Sequence, residues 1–562
     1  MARRLALLAA ILALLVAAGP AAARPNVVVL MTDDQTQASL QYMTQVNGLL
    51  AGQGTRFDQA IASFPLCCPS RSTFLTGQYA HNHGVLHNAG PFGGFAAFDG
   101  GNSLPVWLQE AGYRTMHLGR YLNGYLASDG VPPGWSDWNG MPHANAFNYR
   151  SWKVNEDGDL ESYPDLDHPG EYQTDFIGRR AGELIEDAAP DDDPFYLEVW
   201  FTAPHRGAPR DPDDPTWIGT PSPSPRYRDA FAGVGMPRPP NFDEASMYDK
   251  PQVVADRPLF TPDKEAAIQE NWQQELESLM SVDDAVAHIV DVLARTGELE
   301  NTLIVYTSDN GFMHGEHRAL AEKVLPYEPS IRVPLIMRGP GIPPGRVDDR
   351  LVAKVDVPAT ILDETDVLPG RVADGRSLLP LVADPGAEWG RDILIENGNG
   401  ANGVPAYRGI RNYRYLYVEH NTTGEYELYD LLKDPFELKS RDGADRYAAV
   451  QRDLRASLHS LNRCAGSACY EQPRLKLHVR PRPTSCVPGD LRIFVGGSEK
   501  KEVIRADVLV GRRRVARVSP PPLTRLIPHA KLRPGRLFRL RVRAETRDGR
   551  RLTLDRRVRA CR

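Results

Sequence analysis

The sequence predicts an α/β protein built on a large, mixed but mostly parallel β-sheet between helices. Two runs, Asn26–Thr32 (NVVVLMT) and Thr302–Thr307 (TLIVYT), are almost continuously apolar, which is typical of parallel strands buried on both faces. Gln273–Leu293 places apolar residues at helical spacing, which predicts a helix packed on the sheet. A chain of 562 residues is also too long for one core, so we expect a large α/β domain and something smaller.

Carboxylate and amide side chains follow both of these strands. Asp33 and Asp34 come directly after the first strand, and Asp309 and Asn310 come shortly after the second. Ligands of open α/β sheets gather beyond the carboxyl ends of the strands, and hard oxygen donors suit Ca²⁺ or Mg²⁺ better than zinc or copper. Taken alone, an aspartate here would more simply cap the next helix. Together, the two strand ends predict a divalent-cation site.

Two further predicted strands lead to basic side chains. Tyr113–Leu118 leads to Arg120, and Phe195–Phe201 leads to His205. Taken singly, these residues are a solvated loop cation and a loop histidine. At an edge shared with the acidic pairs, they become candidates for binding an anion and transferring a proton.

The run from Cys67 to Gly77 (CCPSRSTFLTG) combines a thiol, a proline and an arginine at the predicted start of a helix. Pro69 suits a first helical turn, because that turn does not need its N–H, and it places Cys67 just outside the helix N-terminus. Free backbone N–H groups, the helix dipole and Arg71 favour an anion at residue 67. For an arbitrary Cys-Cys pair, an ordinary buried pair beside a turn is the simpler interpretation.

The end of the chain predicts two smaller β units. We place the large α/β domain at residues 24–370 and a smaller antiparallel-sheet subdomain at residues 371–463, where Ala406–Glu419 and Glu425–Leu431 form a predicted hairpin. Residues 464–562 predict a β-sandwich-like module of short strands. The predicted strands are Leu475–Val479, Leu491–Val495, Ala506–Val510, Val515–Val518 and Phe538–Val542.

The net charge of −6 conceals a strong asymmetry. From Glu471 onward, the chain holds 26 Lys plus Arg against 8 Asp plus Glu, a balance of +18, whereas residues 1–470 carry −24. The basic module either contacts a polyanion or an anionic cell surface, or simply has an arginine-rich soluble surface. No nucleic-acid partner is expected.

The N-terminus predicts export. Two arginines precede the apolar run Leu5–Ala18, and Ala21–Ala23 supplies an A-x-A cleavage site, so residues 1–23 form a predicted signal peptide. The apolar run is short for a membrane span. We therefore expect a secreted protein that begins near Arg24.

The six cysteines fit an oxidising compartment. Cys464 and Cys469 are close in sequence, and Cys486 and Cys561 bracket the last segment. We predict one disulfide in each pair, with the two remaining cysteines unpaired.

The Cys67 motif resembles the signature of the sulfatase family. The order Cys-x-Pro-Ser-Arg, closed by Leu-Thr-Gly, is rare, and further landmarks follow in the family's order: GRYLNGY, VPPGW, TAPHRGAP, SVDDAV, TSDNG and VPLIMRGPGI. These details are most similar to the N-acetylglucosamine-6-sulfatase group and extend from Pro25 to about Arg441. The resemblance implies an alkaline-phosphatase-like sandwich fold and hydrolysis of a sulfate ester, expected on a sugar or glycan.

In this family, a formylglycine-generating enzyme oxidises the first cysteine of the motif to formylglycine, and the hydrate of that aldehyde is the nucleophile. The resemblance therefore implies that Cys67 is the modified residue. It implies that Ca²⁺, with Mg²⁺ as the alternative ion, is held by Asp33, Asp34, Asp309, Asn310 and residue 67. It implies that the sulfate is bound by Arg71, Arg120, His205 and Lys323. Asp309 would take a proton from the hydrate, and His205 or Lys323 would protonate the leaving alcohol.

Two positions depart from the family pattern. Arg120 stands where the family usually has lysine, and a guanidinium gives up a proton far less readily than an ammonium. Leu122 and Asn123 stand where many sulfatases have a histidine. The proton donor to the leaving oxygen therefore stays open between His205 and Lys323.

Two alternative functions remain open at this point. One is a phosphate- or phosphonate-ester hydrolase of the same superfamily. The other is a non-catalytic protein that keeps Cys67 unconverted and binds a polyanion or a cell surface through its basic module.

Overall fold

The computed structural model describes residues 24–387, 389–398 and 400–470, together with the strands that lie within residues 475–559. The predicted signal peptide, residues 1–23, and both Cys486 and Cys561 lie outside the described residues. Within the described ranges, no helix combines the length and the apolar character needed to cross a membrane.

The core of the molecule is an 11-stranded mixed sheet. Its strands are β1 (Asn26–Thr32), β2 (Thr55–Ile61), β3 (Arg114–Arg120), β4 (Asp137–Met141), β5 (Trp152–Glu156), β6 (Asp159–Tyr163), β7 (Phe195–Trp200), β8 (Thr302–Ser308), β9 (Arg332–Val333), β10 (Leu335–Arg338) and β11 (Arg346–Ala353). In space they follow the order β11-β2-β10-β8-β1-β7-β3-β4-β5-β6, and β9 pairs with β2.

The middle of this sheet is parallel and fully buried, as the apolar runs predict. β1 lies between β7 and β8 and pairs in parallel with both, so that Val28 is opposite Leu197 and Ile304. Every residue of β1 and β8 is buried. Strands β5, β6 and β10 run antiparallel to their neighbours, which makes the sheet mixed.

Helices cover the sheet. They are α1 (Cys67–Thr76), α2 (Ala80–His83), α3 (Leu104–Glu110), α4 (His143–Ala146), α5 (Gln173–Ala188), α6 (Gln252–Ala255), α7 (Pro262–Thr296), α8 (Glu328–Ile331), α9 (Asp356–Thr365), α10 (Leu379–Ala383) and α11 (Ala448–Leu461). Short 3-10 or π turns occupy Ser39–Tyr42, Val46–Ala51, Phe95–Ala97, Ala127–Asp129, Leu299–Asn301, Asp445–Tyr447 and Gly466–Cys469.

Helix α7 is longer than the predicted Gln273–Leu293. It begins at Pro262, which lacks the N–H that a first turn does not use, and it ends before Gly297, whose φ of 84° lies in the left-handed region. The polar first turn explains only part of the missing length, because Ile268 and Trp272, which are buried and four residues apart, already continue the apolar spacing before Gln273.

The smaller antiparallel sheet is confirmed, although its predicted arm Ala406–Glu419 is two paired strands rather than one. Its strands, in spatial order, are β12 (Ile393–Asn397), β13 (Tyr407–Arg411), β14 (Tyr415–His420) and β15 (Tyr426–Asp430). Ile395, Leu416 and Leu428 of this sheet belong to the same apolar cluster as Ile61 and Ile331 of the large domain. The two units therefore share a hydrophobic core.

The C-terminal segment contains two antiparallel sheets. Its strands are β16 (Leu475–Arg480), β17 (Leu491–Gly497), β18 (Val503–Val510), β19 (Arg513–Val518), β20 (Thr524–Ile527), β21 (Leu537–Thr546) and β22 (Arg551–Arg559). One sheet has the order β16-β17-β20 and the other β19-β18-β21-β22. The five predicted strands are confirmed. β20 and β22 were not predicted, because β20 is short and arginines interrupt the apolar alternation of β22.

Among the described residues, the pairing of the cysteines agrees with the prediction. Cys464 and Cys469 form a disulfide, and Cys67 and Cys68 are free and buried.

Candidate active site

Two acidic strand ends meet at one edge of the large sheet. Asp33 and Asp34 follow β1, and Asp309 and Asn310 follow its parallel neighbour β8. The Asp309 N–H donates to the Thr32 carbonyl at 3.0 Å, and the Asp34 N–H donates to Asp309 Oδ1 at 3.2 Å. These hydrogen bonds fix the two strand ends against each other and bring together the four oxygen-bearing side chains predicted from the sequence.

Cys67 is the first residue of α1 rather than a residue just outside it. Leu66 is the N-cap, with extended backbone, and its carbonyl accepts a hydrogen bond from the Ser70 N–H at 3.0 Å. Pro69 therefore occupies the third helical position, where its missing N–H is still not needed. The position predicted for Cys67 is corrected by one residue, but its side chain still meets the acidic pair, since Cys67 Sγ lies 3.8 Å from Asp33 Oδ1.

The side chains at this edge fit a hard divalent cation. One potential ligand atom from each of Asp33, Asp34 and Cys67 lies within 4.8 Å of the other two. Asn310 Nδ2 donates to Asp34 Oδ1 at 2.7 Å, whereas Asn310 Oδ1 is buried without a hydrogen-bond partner in the described part of the chain. Leaving a buried acceptor unpaired is costly. Coordination of Ca²⁺ or Mg²⁺ by carboxylate and amide oxygens would satisfy it.

Arg71 donates hydrogen bonds to two aspartates of the site. Its Nη2 donates to Asp33 Oδ2 and its Nε to Asp309 Oδ2, both at 2.9 Å, and its Nη1 donates to the Arg120 carbonyl at 2.7 Å. None of these three charged side chains is exposed. Burial acts to raise the pKa of Asp309, but nearby cations, Arg71 first among them, outweigh burial and hold that pKa below its usual value. Arg71 thus neutralises two carboxylates behind residue 67.

Arg120 is a buried strand residue, not a solvated loop cation. Strand β3 continues two residues past its predicted end at Leu118, because Gly119 and Arg120 extend the parallel pairing with β4. The Arg120 guanidinium contacts Asp33 Oδ2 and lies 3.9 Å from Asp309 Oδ2. Burial lowers the pKa of Arg120 to about 10, which leaves the side chain cationic at neutral pH.

Asn123, one of the positions that depart from the family pattern, connects Arg120 to Cys68. The Asn123 N–H donates to Cys68 Sγ at 3.0 Å, and Arg120 Nη2 donates to Asn123 Oδ1 at 3.1 Å. The neighbour of Cys67 therefore helps to orient a cation of the site.

Lys323 joins the acidic pair to Cys67. Its Nζ contacts Asp34 Oδ1 and donates to Cys67 Sγ at 3.0 Å. Burial acts to lower the pKa of Lys323, but Asp34 and Cys67 together raise it by more, so the side chain stays an ammonium. The exposed helical lysine that the sequence also allowed is excluded, because Lys323 is buried and lies in a loop.

The loop that carries Lys323 has a strained backbone. Four of its residues have φ between 50° and 82°: His317, Arg318, Ala321 and Val324. A left-handed conformation is costly for a β-branched residue such as valine. The Tyr407 hydroxyl, from β13, donates to the Val324 carbonyl. The small sheet thereby helps to hold Lys323 against Cys67.

His205 faces the second carboxylate oxygen of Asp34. Its Nε2 lies 3.8 Å from Asp34 Oδ2. Its Nδ1 lies 2.7 Å from the Arg206 carbonyl, and because a carbonyl only accepts, Nδ1 carries the proton. Burial, reinforced by the charges of Lys323 and Arg120, holds the pKa of His205 well below its usual value. The imidazole is therefore neutral, with Nε2 unprotonated.

Lys354 is a buried basic residue of the site that could not be singled out from the sequence. It directly follows β11, and its Nζ donates to the Ser70 hydroxyl and to the Asp309 carbonyl, both at 3.2 Å. Burial lowers the pKa of Lys354 to about 7. The sequence signal for Lys354 is weak, because only the last three residues of β11, Leu351–Ala353, are apolar, whereas Asp33 follows a strand that is apolar almost throughout.

Two family models match the chain. The sulfatase model matches residues 25–367, and the model of the C-terminal part of N-sulphoglucosamine sulphohydrolase matches residues 315–464. The chain belongs to the sulfatase family. This confirms the resemblance carried by the Cys67 motif and makes the enzyme a sulfuric ester hydrolase.

Individual sulfatases agree over most of the chain. The arylsulfatase of Volvox carteri is 32% identical over 499 residues, which cover 79% of this chain and 76% of the relative. The human N-acetylglucosamine-6-sulfatase is 33% identical over 397 residues, which cover 67% and 68%. A solved structure in complex with its substrate D-glucosamine-2-N,6-O-disulfate matches with a TM-score of 0.66 and 25% identity, over 78% of this chain and 97% of that one. These similarities confirm the alkaline-phosphatase-like fold.

Residue 67 of this sulfatase lines a cavity of about 540 Å³, a volume typical of small-molecule sites. Its other lining residues are Asn88, Asn123, His143, Phe147, His205, Arg206, Gly207, Ala208, Arg210, Gly219, Thr220, Lys323 and Asn402. A second cavity, of about 290 Å³, shares His205, Arg206 and Lys323 with the first and is also lined by Asp34 and Glu275. A polar substrate group can therefore reach both Cys67 and Lys323.

Proposed function

We propose that this sulfatase is exported, depends on Ca²⁺, and uses formylglycine at position 67 to hydrolyse a sulfate ester on a sugar or glycan. The observation that carries the proposal is the set of contacts around Cys67. Its Sγ accepts a hydrogen bond from Lys323 at 3.0 Å and lies 3.8 Å from Asp33. One buried place thus holds the predicted nucleophile, a fixed ammonium and a set of hard oxygen donors.

The residues that would hold Ca²⁺ are Asp33, Asp34, Asp309, Asn310 and residue 67, with Mg²⁺ as the alternative ion. When bound, the cation supplies positive charge that polarises the sulfate and favours an ionised nucleophile. The orphaned Asn310 Oδ1 supports this assignment. A chelator should abolish sulfate release, and added Ca²⁺ should restore it.

The cations of the chain would neutralise a sulfate ester that otherwise repels a nucleophile. Lys323 and Arg120 are buried, where their charge acts more strongly than in water. One hydroxyl of an aldehyde hydrate at residue 67 supplies the oxygen that attacks sulfur as the bond from sulfur to the alcohol oxygen breaks. The second hydroxyl then loses its proton and expels the sulfate as the aldehyde re-forms. Asp309 is held ionised, as acceptance of a proton from that oxygen requires.

Of the two candidates for protonating the leaving alcohol, the geometry favours Lys323. Lys323 is an ammonium beside Cys67, whereas neutral His205 presents an unprotonated Nε2. His205 would then act as a hydrogen-bond acceptor or take up a proton only with substrate in place.

A sugar substrate is supported by the cavity and by the relatives. Asn88, Asn123, His143 and Asn402 offer hydrogen-bonding groups around a cavity large enough for a saccharide unit. Relatives named as N-acetylglucosamine-6-sulfatase, and a structural neighbour bound to a disulfated glucosamine, point to an amino sugar.

Export is supported by the predicted signal peptide at residues 1–23 and by the Cys464–Cys469 disulfide, which fits an oxidising compartment.

The excess of positive charge from Glu471 onward supports contact with a polyanion or a cell surface. Salt-dependent retention on a heparin-type resin, lost on deletion of residues 471–562, would support that contact. Unchanged retention after the deletion would reject it.

The proposed activity is tested by parallel assays of matched esters. The full chain, co-expressed with a formylglycine-generating enzyme, is given glucosamine 6-sulfate, glucosamine 6-phosphate and a phosphonate ester, with Cys67→Ala as the control. We expect sulfate release by the wild type and loss of it in Cys67→Ala. Preferential turnover of the phosphate or phosphonate ester would instead support the alternative hydrolase.

A further inference from the structure

The larger cavity is lined by an arginine, Arg206, whose side chain has no partner among the residues that the structure describes. Arg206 follows His205 and lines both cavities beside Lys323. Its side chain is exposed and makes no hydrogen bond or ion pair with any residue that the structure describes. The charge of Lys323, in contrast, is already shared with Asp34 and Cys67.

The backbone around Arg206 leaves room for its side chain. The Gly207 N–H donates to the Thr220 carbonyl at 3.0 Å, which holds the Arg206 loop against the segment that contains Gly219. A Cβ atom added at Gly219 would lie 2.4 Å from Arg206 Cδ and 3.1 Å from Arg206 Cβ. The φ of Gly219 is outside the left-handed region. This glycine is therefore required for space rather than for backbone conformation.

Arg210, which lines the same cavity, has a different role. Its guanidinium donates to the carbonyls of Thr216 at 3.2 Å and Ile218 at 2.6 Å, and it also contacts the Pro215 carbonyl. Arg210 thus uses its donors to hold together the loop that contains residues 210–218. Arg206 is left to supply free positive charge to the cavity.

The lining of the larger cavity contains no aspartate or glutamate within the described part of the chain. Asp34, Glu275 and Glu322 line the smaller cavity with Arg206, but none of them forms an ion pair with it. A planar guanidinium with free donors binds carboxylates and sulfates through paired, charge-assisted hydrogen bonds. In the proposed function, the positive charges of Lys323 and Arg120 already neutralise the sulfate that is cleaved. The unused charge of Arg206 therefore fits a second anionic group on the same substrate.

We propose that Arg206 determines specificity by binding a second anionic group of the substrate, either a sulfate on the same sugar unit or a carboxylate or sulfate on a neighbouring one. This inference rests on the proposed sulfatase function. It makes the preferred substrate a saccharide that carries at least two negative charges.

The test compares substrates with one and two anionic groups. N-acetylglucosamine 6-sulfate carries one, glucosamine-2-N,6-O-disulfate carries two on one unit, and N-acetylglucosamine 6-sulfate linked to a uronate carries the second on a neighbouring unit. The wild type should prefer one of the two doubly charged substrates, and the preferred one identifies the source of the second group. The readout is the ratio of its kcat/KM to that of the singly charged sugar.

In Arg206→Gln, we expect this ratio to fall about tenfold, mainly through KM, which is the effect of about one charge-assisted hydrogen bond at an accessible side chain. Arg206→Lys should keep part of the preference. Gly219→Ala should reduce it, because the added Cβ displaces the arginine. Arg295→Gln, a matched exposed arginine on α7 that pairs with Asp291 and Glu186, should leave it unchanged.

Binding measured without turnover separates this inference from the proposed function. Calorimetric titration of the unconverted Cys67 protein with the same sugars should show the preference in the wild type and its loss in Arg206→Gln, whether or not any sulfate ester is hydrolysed. Equal affinities for singly and doubly charged sugars, or an unchanged ratio in Arg206→Gln, would overturn the assignment and leave Arg206 a solvated surface residue.

Discussion

The Lys323 ammonium donates a hydrogen bond to Cys67 Sγ at 3.0 Å while it contacts Asp34 Oδ1. One nitrogen thus connects the residue expected to become the nucleophile with the acidic side of the site. Lys323 reaches this position from a loop 256 residues away in the chain, held by strained backbone and by Tyr407.

Replacing Lys323 with methionine should lower kcat by about 10²–10³-fold, because the site loses a buried charge aimed at the reacting group. Lys323→Arg, which keeps the charge but cannot readily give up a proton, should recover KM more than kcat. Steady-state kinetics of sulfate release would measure both. Equal kcat values for the wild type and Lys323→Met would rule out a catalytic role for this residue.

Arg71 should matter more for stability than its place in the motif suggests. Arg71→Ala removes the cation that bridges the buried Asp33 and Asp309 carboxylates and leaves Arg120 as their nearest cation, and breaking a buried pair in this way costs about 3–5 kcal/mol. Arg71→Lys should cost less, since one ammonium keeps the charge but cannot bridge both carboxylates. Denaturant unfolding of both variants tests this. A change below about 1 kcal/mol in Arg71→Ala would contradict a buried ion pair.

Lys354 should contribute to activity without contributing to stability. Its ammonium is buried against a hydroxyl and a carbonyl instead of a carboxylate, so methionine of similar shape should leave the thermal midpoint unchanged or raise it. Loss of its charge beside Asp309 should lower kcat by about tenfold. Thermal unfolding and kinetics of Lys354→Met check both effects. A lower midpoint with unchanged kcat would make the lysine purely structural.

Cys68 should resist alkylation in the folded protein. Burial raises the pKa of its thiol to about 12, so it stays protonated at pH 8 and should react about 10³-fold more slowly than an ordinary cysteine. Because the pKa is raised, the rate should keep increasing between pH 8 and pH 10 without levelling off near 9. Peptide mass spectrometry after iodoacetamide treatment measures it, with the denatured chain as the fully reactive control. Rapid labelling of the folded chain would show that Cys68 is accessible.

The parts of the site that could be predicted from the sequence are those with a local pattern. Asp33, Asp34, Asp309 and Asn310 each follow a continuous apolar strand, and parallel pairing of those strands then requires that they meet. The Cys67 motif, likewise, is contiguous. The sheet and the small antiparallel unit were found for the same reason, because alternation and apolar runs are local.

The rest depends on contacts between distant segments. The carboxylate partners of Arg71 lie 38 and 238 residues away, so the sequence could not show that this arginine bridges two aspartates. Lys354 and Ser70 are 284 residues apart. The free charge of Arg206 is visible only once Gly219 and the cavity lining are placed around it.

Residue 67 should act as formylglycine, and mass spectrometry of the peptide that contains it is the most direct test. After co-expression with a formylglycine-generating enzyme, we expect an aldehyde at position 67, unmodified Cys68, and sulfate release in proportion to the converted fraction. An intact Cys67 thiol in fully active enzyme, or a Cys67→Ala variant with wild-type activity, would contradict it.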